Sequence, residues 1–426
     1  MTRPTTATGS TAPLRRDPDF VRYWTARVVS LAGSAATYVA LPVIVYRLTG
    51  SPLVTGLVSA LEAVPYLCFG LVAGALADRL DRRRVMVAAD LLSAAVIGSV
   101  PVAAGLHALT TAQVLVVAAL AATVFVFFDA ANFGALPTLA GRGRIAAANS
   151  AVWSAGMVVE IAVPAATGAA FALLAPSSVL AVDAATFVAS ALLVRAIVRP
   201  LSAPDRARAA SRRLRAEVRE GLHFLWRHPT VRAMTLVGTT QSVSGGAYVG
   251  QLVVYADRAL GVRTSDPRLG VLYGAWGVGA LVASVLLPGL VRRVGTARLT
   301  LLALPCSAAL ALSLAVAPNY ATGLMLTALW GVAYMLVVVN AITHRQEATP
   351  EPLQSRVNTT GRMLSWGVGS PLGAFLGGAV AQAAGVRWAL VVSGLVTAAG
   401  AALGWASALR TVRPHVPAVA GQGASA

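Results

Sequence analysis

Residues Thr110–Asn132 read TTAQVLVVAALAATVFVFFDAAN, and no charge interrupts them before Asp129. As a helix, the uncharged part Thr110–Phe128 would rise about 28 Å, close to the thickness of a bilayer's hydrocarbon core. Such a run has one natural solvent, and it is lipid. Composition says the same of the whole chain. Of 426 residues, 57% are hydrophobic and 12% charged, and the mean hydropathy is +0.72. Soluble domains carry about 25% charged residues, so this chain lacks the polar surface to cover itself in water.

Outward from that run, a window of about 20 residues finds five companions in the first half of the chain. They lie near Thr25–Leu48, Leu53–Leu76, Val85–Leu106, Asn149–Leu174 and Ser177–Val198. The second half supplies six more, near Thr230–Val254, Leu269–Val291, Thr296–Val316, Tyr320–Ile342, Val357–Gln382 and Trp388–Leu409. The expected fold is an all-α membrane protein with twelve transmembrane helices in two pseudo-symmetric six-helix bundles, residues 20–199 and 229–410. Residues 1–19 and 411–426 are expected to be disordered tails, and residues 200–228 to be a linker. Within the linker, Leu214, Val218, Leu222 and Leu225 recur at helical spacing, which predicts an amphipathic helix on the membrane surface. No cleavable signal is read, because the first apolar run is too long for one.

The net charge of +18 comes entirely from arginine, since lysine is absent. Its placement argues against nucleic acid as a partner. The loops that share a side with the termini hold 29 arginines and the opposite loops 5. The positive-inside rule then places both termini in the cytoplasm and the chain in the cell (inner or plasma) membrane. Cys68 and Cys306 fall inside apolar runs and are expected to pack as buried thiols.

An internal repeat supports the two halves. Pro164 in VPAATG (Val163–Gly168) and Pro371 in SPLGAF (Ser370–Phe375) sit at equivalent places, each beside small residues. Repeats of this kind put a substrate site near the bilayer midplane, between the halves.

The loop after the second span, GALADRLDRRR (Gly74–Arg84), resembles the G-x-L-x-D-R-x-G-R-R/K signature of the major facilitator superfamily, with Asp81 where the pattern has Gly. YRLTGSPLVTGLV (Tyr46–Val58), EGLHFLWRHP (Glu220–Pro229) and RQEATPEPLQSRVN (Arg345–Asn358) are similar to its branch of enterobactin and macrolide exporters. The resemblance runs from about Phe20 to Leu409. It implies a secondary transporter that exports a small amphipathic molecule, such as a drug, antibiotic or siderophore-like metabolite, by proton antiport and alternating access. Of the exporters' fifth-helix motif G-x-x-x-G-P-x-x-G-G, only Pro164 and Gly168 remain, with Val159, Val163 and Thr167 at three glycine places. Uptake by the same fold therefore stays open. The resemblance also implies a latch, in which Arg82 bridges Asp78 and Asp129.

An acid in mid-membrane costs about 2.5–3.5 kcal/mol on insertion scales, so Glu62 and Glu160 need a reason. They can carry a coupled proton, touch a cationic substrate, or hold a neighbouring helix while protonated. Asp90 and Asp183 read as fold constraints near helix ends, paired with Arg or capping. Arg27 and Arg195 read as snorkelling groups, and Arg345, Gln346, Arg356 and Arg362 as a second-half counterpart of the latch. Candidates for the substrate cavity are Tyr38, Asn132, Trp153, Gln241, Tyr248, Trp276, Tyr334 and Asn340, each of which can equally be a helix–helix contact.

No GxxxxGK[ST] loop is present, so the proton motive force, rather than a nucleotide or other cofactor, is the expected drive. The five histidines, at 107, 223, 228, 344 and 415, show no metal spacing and no metal site is read. Expected partners are the substrate, protons and the bilayer, with the chain a monomer and not an enzyme.

Overall fold

A computed structural model describes residues 14–202, 214–350 and 353–411. The first half contributes α1 (Pro18–Thr49), α2 (Pro52–Arg79), α3 (Arg82–Gly105), α4 (Thr111–Ala140), α5 (Ile145–Ala170) and α6 (Pro176–Arg195). A connector, α7 (Leu214–Arg227), leads to α8 (Pro229–Gly250), α9 (Leu252–Leu260), α10 (Arg268–Val294), α11 (Thr296–Ala315) and α12 (Tyr320–Ala348). The chain ends on α13 (Gln354–Arg362), a π-helical stretch Met363–Gly369, α14 (Ser370–Ala384) and α15 (Val386–Ala406). No strand occurs among the described residues.

Local chemistry sets the boundaries. Asp17, Ser51, Thr110 and Asn319 cap α1, α2, α4 and α12 through their side chains, and prolines open α1 and α2. Gly50, at φ 62°, turns the chain sharply from α1 into α2. Asp81 accepts a hydrogen bond from the Arg84 N–H at 2.9 Å and so caps α3. That explains an acid where the loop signature has glycine. The π-helical turns stand immediately before Pro371, at the repeat position where α5 carries Pro164. Proline and π-turns are both recognised sources of helix bending.

The two halves repeat their internal packing. In the first, α1 packs on α5 and α6, α3 on α4 and α6, and α2 on α4. In the second, α8 packs on α14 and α15, α11 on α12 and α15, and α10 on α12. Replacing α1–α6 by α8, α10, α11, α12, α14 and α15 converts one set into the other. Eleven spans among the described residues are long and apolar enough to cross a membrane. The twelfth membrane helix, α8, is richer in Thr, Ser, Gln and Gly. It is surrounded by α2, α12, α14 and α15, so protein rather than lipid is its solvent. Gln241 donates to Ser307 (2.6 Å), Ser244 bonds Ser393 (2.7 Å), and the Tyr248 hydroxyl bonds Thr327 (2.5 Å).

Several expectations change. The first span begins at Pro18, and a 3-10 turn at Leu14–Arg16 precedes it, so residues 14–19 are ordered; the rest of the expected N-terminal tail, and residues 412–426, lie outside the described residues. Asp19 anchors this start: its oxygens accept from the Val198 and Arg199 N–H groups (3.1 and 3.0 Å) and pair with the Arg199 side chain (3.2 Å). The connector α7 is tied to protein, because Leu225 is buried with Val231 and Val357; Leu214 and Val218 have side chains outside the described set. Cys68 and Cys306 are exposed rather than buried, since each falls on an outward face of its helix.

Asp90 and Asp183 are not near helix ends. Each is 1% exposed in mid-helix, between α1, α3 and α6. Asp183 accepts from the Thr37 and Thr186 hydroxyls, the latter at 3.1 Å, so hydroxyls take the role that arginine was expected to fill.

Candidate functional site

Seven hydrogen bonds join the two halves at the end opposite the termini. The Tyr46 hydroxyl donates to Asp257 (2.7 Å), and Arg258 donates to Tyr46 (3.2 Å) and to the Gly50 carbonyl (2.7 Å). Arg47 donates twice to Thr264 (2.9 Å each). Ser51 bonds Gln382 (3.0 Å), and Gln251 donates to the Pro52 carbonyl (3.0 Å). These bonds form a clasp across the distal end.

Two seams of small residues run inward from the clasp. On one, α5 meets α10: a Cβ on Gly270 would stand 2.6 Å from Gly168 Cα and 2.7 Å from the carbonyl oxygens of Pro164 and Ala165. On the other, α2 meets α14: a Cβ on Gly378 would stand 3.0 Å from the Pro52 carbonyl and 3.1 Å from Leu53 Cα. Backbones approach this closely only where side chains are absent. Deeper, the Arg362 guanidinium lies over the Tyr66 ring, 5.2 Å from its centroid. The halves are zipped distally in this structure.

Below the clasp the predicted acids both stand near Tyr38. Tyr38, Glu62 and Glu160 each lie about 15–17 Å of helix rise from the distal end of their helices, near mid-bilayer. Tyr38 is within electrostatic range of Glu62, Glu160 and Tyr334, and Tyr273 within range of Tyr38 and Glu62. Tyr38 is 42% exposed to the space they share. The second half faces them with an aromatic wall: Trp276 meets Tyr334 edge-on at 6.0 Å, and Tyr334 packs on Trp330 at 5.2 Å. Tyr334 fits because Gly245 beneath its ring has no side chain. Glu62 Oε2, Tyr273 Oη and Trp276 Nε1 are buried without hydrogen-bond partners. A polar ligand or water is what such groups lack.

So five of the sequence candidates share one space: Tyr38, Glu62, Glu160, Trp276 and Tyr334. Tyr273 was missed, although its place three residues before Trp276 puts both on one side of α10. Four of the other cavity candidates do structural work. Asn340 is fully buried and donates to Thr296 (2.5 Å) and Thr300 (2.7 Å), fastening α12 to α11. Gln241 and Tyr248 make the α8 bonds described above. Asn132 accepts from Tyr23 at 2.5 Å, joining α4 to α1. Trp153 is 69% exposed, about ten Å of rise from Glu160 toward the termini.

Two of the latch residues, Arg82 and Asp129, have other partners in this structure. Arg82 is 5% exposed and donates to the Gly134 carbonyl (2.8 Å), in room left by the missing Gly134 side chain. Asp129 takes Arg27 as its ion partner (3.4 Å), and Arg27 also lies over the Phe128 ring (5.5 Å). About 7.5 Å of rise separates Gly134 from Asp129, so Arg82 seated at Gly134 does not bridge to Asp129. The side chains of Asp78 and Arg356 lie outside the described residues. Arg345 is 3% exposed and donates to Asn358 (3.4 Å), which ties α12 to α13.

A family of transmembrane secretion effectors matches residues 8–418 of the chain. The multidrug efflux pump Tap of Mycolicibacterium fortuitum is 31% identical over 367 residues, 84% of this chain and 87% of that protein. Macrolide efflux protein A of Streptococcus pyogenes is 28% identical over 220 residues, 52% of this chain and 54% of that one. Among solved structures, a bacterial homologue of the iron transporter ferroportin, in an inward-facing state, superposes with a TM-score of 0.73 at 16% identity, covering 93% of this chain and 99% of that chain. At that identity the likeness speaks for the fold.

Proposed function

The chain belongs to the transmembrane secretion effector family, a branch of the major facilitator transporters and not an enzyme family, and on that premise we propose that it exports a small amphipathic molecule, of the drug or antibiotic kind, in exchange for protons. The observation that carries this reading is the pairing of Glu62 and Glu160 with an aromatic wall in one mid-membrane space. The named efflux activities of its relatives support the direction. Both termini then face the cytoplasm, as the arginine count favours, and the clasped end faces outward.

The site suits this chemistry. Tyr38, Tyr273, Tyr334 and Trp276 offer flat apolar faces with polar edges, which fit a bulky amphipathic molecule without prescribing one shape. Glu62 Oε2 has no partner among the described residues, so a proton or a cationic cargo can each satisfy it. Binding of one then displaces the other, which is the requirement of antiport. A proton moving down about 100 mV releases roughly 2.3 kcal/mol, enough for a gradient of tens-fold in a neutral cargo. One-for-one exchange for a singly charged cation moves no net charge and draws on the pH gradient alone, about 1.4 kcal/mol per pH unit. Proton motive force is the drive, with no other cofactor. The chain works as a monomer in the plasma membrane, with no nucleic-acid partner. Alternating access would open the distal clasp and close the terminal end.

The test is proton flux in everted vesicles challenged with a panel of amphipathic compounds and read with a pH-sensitive dye. Compound-triggered proton release by the wild type, lost in Glu160→Gln or Glu62→Gln with expression unchanged, is expected. Proton release that persists in both variants would remove these acids from coupling. Compound-driven flux of the opposite sense would make the chain an importer.

A further inference from the structure

A second cavity, of about 520 Å³, lies on the outer side of the α5–α10 seam. Ile161 and Ala165 form one wall, Val271 and Val278 of α10 the back, and Leu324 and Met325 of α12 the other wall. Every residue that lines it is apolar. Val271, Val278 and Met325 are 45%, 46% and 56% exposed, so the cavity opens sideways onto the flank of the bundle. It is separate from the mid-membrane site, because Tyr273 and Trp276 leave α10 on another side.

The geometry points to a binding site for one acyl chain of a bilayer lipid. Its lining spans only the distal half of α5, α10 and α12, from near the helix ends to about 15 Å below them. That is the depth of one leaflet's hydrocarbon, and a groove along the helices runs parallel to the lipid chains there. The opening is continuous with an apolar flank of membrane-spanning helices, so hydrocarbon is the neighbouring phase. The volume falls in the range of specific small-ligand sites. With no polar group in the lining, nothing there would orient or hold the polar part of a cargo.

The site has a second property, which rests on the alternating-access reading. One wall belongs to the first half and the others to the second, so parting the α5–α10 seam destroys it. A chain bound here interacts with only one state, and differential affinity is what shifts a conformational equilibrium. The lipid therefore acts as a hold on the distally closed state.

The experiment uses full-length protein in phosphatidylcholine vesicles whose lipid carries a diazirine midway along one acyl chain. After irradiation, adducts are mapped by mass spectrometry. Adducts concentrated on residues 161–165, 271–278 and 321–328 are expected, above those near Val182, an α6 residue 61% exposed. Ala328→Phe, which fills the groove, should abolish the concentrated adducts, whereas Val182→Phe should leave them. Ala275→Val is a smaller filler for use if Ala328→Phe does not fold, and should reduce them. Adducts spread evenly over the exposed helices, or left unchanged by the folded filler variant, would overturn the assignment. So would their displacement by an amphipathic compound that the protein exports, which would make the groove a cargo site. Groove residues left unlabelled while Val182 is labelled would overturn it too, and would give the groove to a second copy. The site assignment can fail while the proton-flux test succeeds, and the reverse.

Discussion

The substitution Gly270→Ala should drive the protein out of the state described here. A Cβ at this position would meet Gly168 Cα at 2.6 Å and the Pro164 and Ala165 carbonyl oxygens at 2.7 Å. Ordinary contacts of this kind are about 3.5–4.0 Å, so three backbone atoms are each too close by roughly 1 Å. None can rotate away, because all belong to α5. The helices must separate, and overpacking of this order costs about 1–3 kcal/mol. That cost falls only on the state in which the seam is closed. The equilibrium should therefore shift toward distal opening by about 5- to 150-fold. The assay is a pair of spin labels at Ala108→Cys and Pro318→Cys, exposed positions in distal loops of the two halves. Cys68→Ser and Cys306→Ser remove the native thiols, which are themselves exposed. A longer distance population that grows in the Gly270→Ala protein is expected. An unchanged distribution in a folded, correctly inserted variant would refute the idea that this seam is a closed gate.

Arg258→Ala should act in the same direction through the clasp. It removes bonds to Tyr46 and Gly50 and the contact with the Tyr46 ring, together about 1–2 kcal/mol, and the same spin labels read it. Asp81→Ala should lower stability by about 1 kcal/mol, whereas Asp81→Gly costs only a few tenths; thermal melting in detergent distinguishes them, and equal losses would deny the cap. Thr37→Val leaves Asp183 with only the Thr186 hydroxyl among its side-chain hydrogen bonds and should cost about 1–3 kcal/mol; unchanged melting would show that the contact carries nothing. Asp266, in the loop before α10, is held below the usual carboxylate range by its hydrogen bond from Arg268. Its contribution is therefore complete above the ordinary carboxylate range and disappears as the pH falls through its lowered value. Asp266→Asn should flatten any such acid-side loss in a melting–pH profile.

The spans were legible because hydrocarbon imposes a length and a polarity on every helix that faces it. Lipid contact, however, is not imposed equally. The α8 sequence, with Thr239, Thr240, Gln241, Ser242 and Ser244 in succession, is the least like a membrane span, yet it is the most enclosed by protein. Glu62 and Glu160 were legible because an acid in mid-membrane is conspicuous one residue at a time. Pairings were not legible in this way. Asn340, Gln241 and Tyr248 look like Tyr334 in composition, and only the neighbouring helix decides whether each faces a hydroxyl or an open space. The latch showed the same limit: Arg82 and Asp129 seemed close in depth, but Gly134 opened a nearer seat for Arg82, and Arg27 reached Asp129 from α1. Arg47 and Arg258 had significance in the sequence only as exceptions to a charge bias. In the structure they bind the distal ends together, because a chain with few charges there can use each one as a clasp.

Glu160 and the α5–α10 seam lie on one helix, and this links chemistry to motion. A Cβ on Gly277 would stand 3.3 Å from the Glu160 carbonyl and 3.0 Å from Ile161 Cγ1, so the acid is at the inner edge of the closed contact. Gly168, the tightest point, is about 12 Å of helix rise farther out. When α10 moves away from α5, the side of Glu160 that now has protein beside it would gain access to the opposite compartment. A group whose surroundings change in this way can bind a proton on one side and release it on the other without moving far itself. Glu62 stands on α2, which forms the other seam with α14, so the same movement would reach it from the other flank. Gly270→Ala and Glu160→Gln therefore probe one device from its two ends. If they do, adding the glycine substitution should change how fast compounds trigger proton release in the wild type but have no further effect in Glu160→Gln. Additive effects in the double variant would separate the seam from the proton and leave the two acids without a mechanical partner.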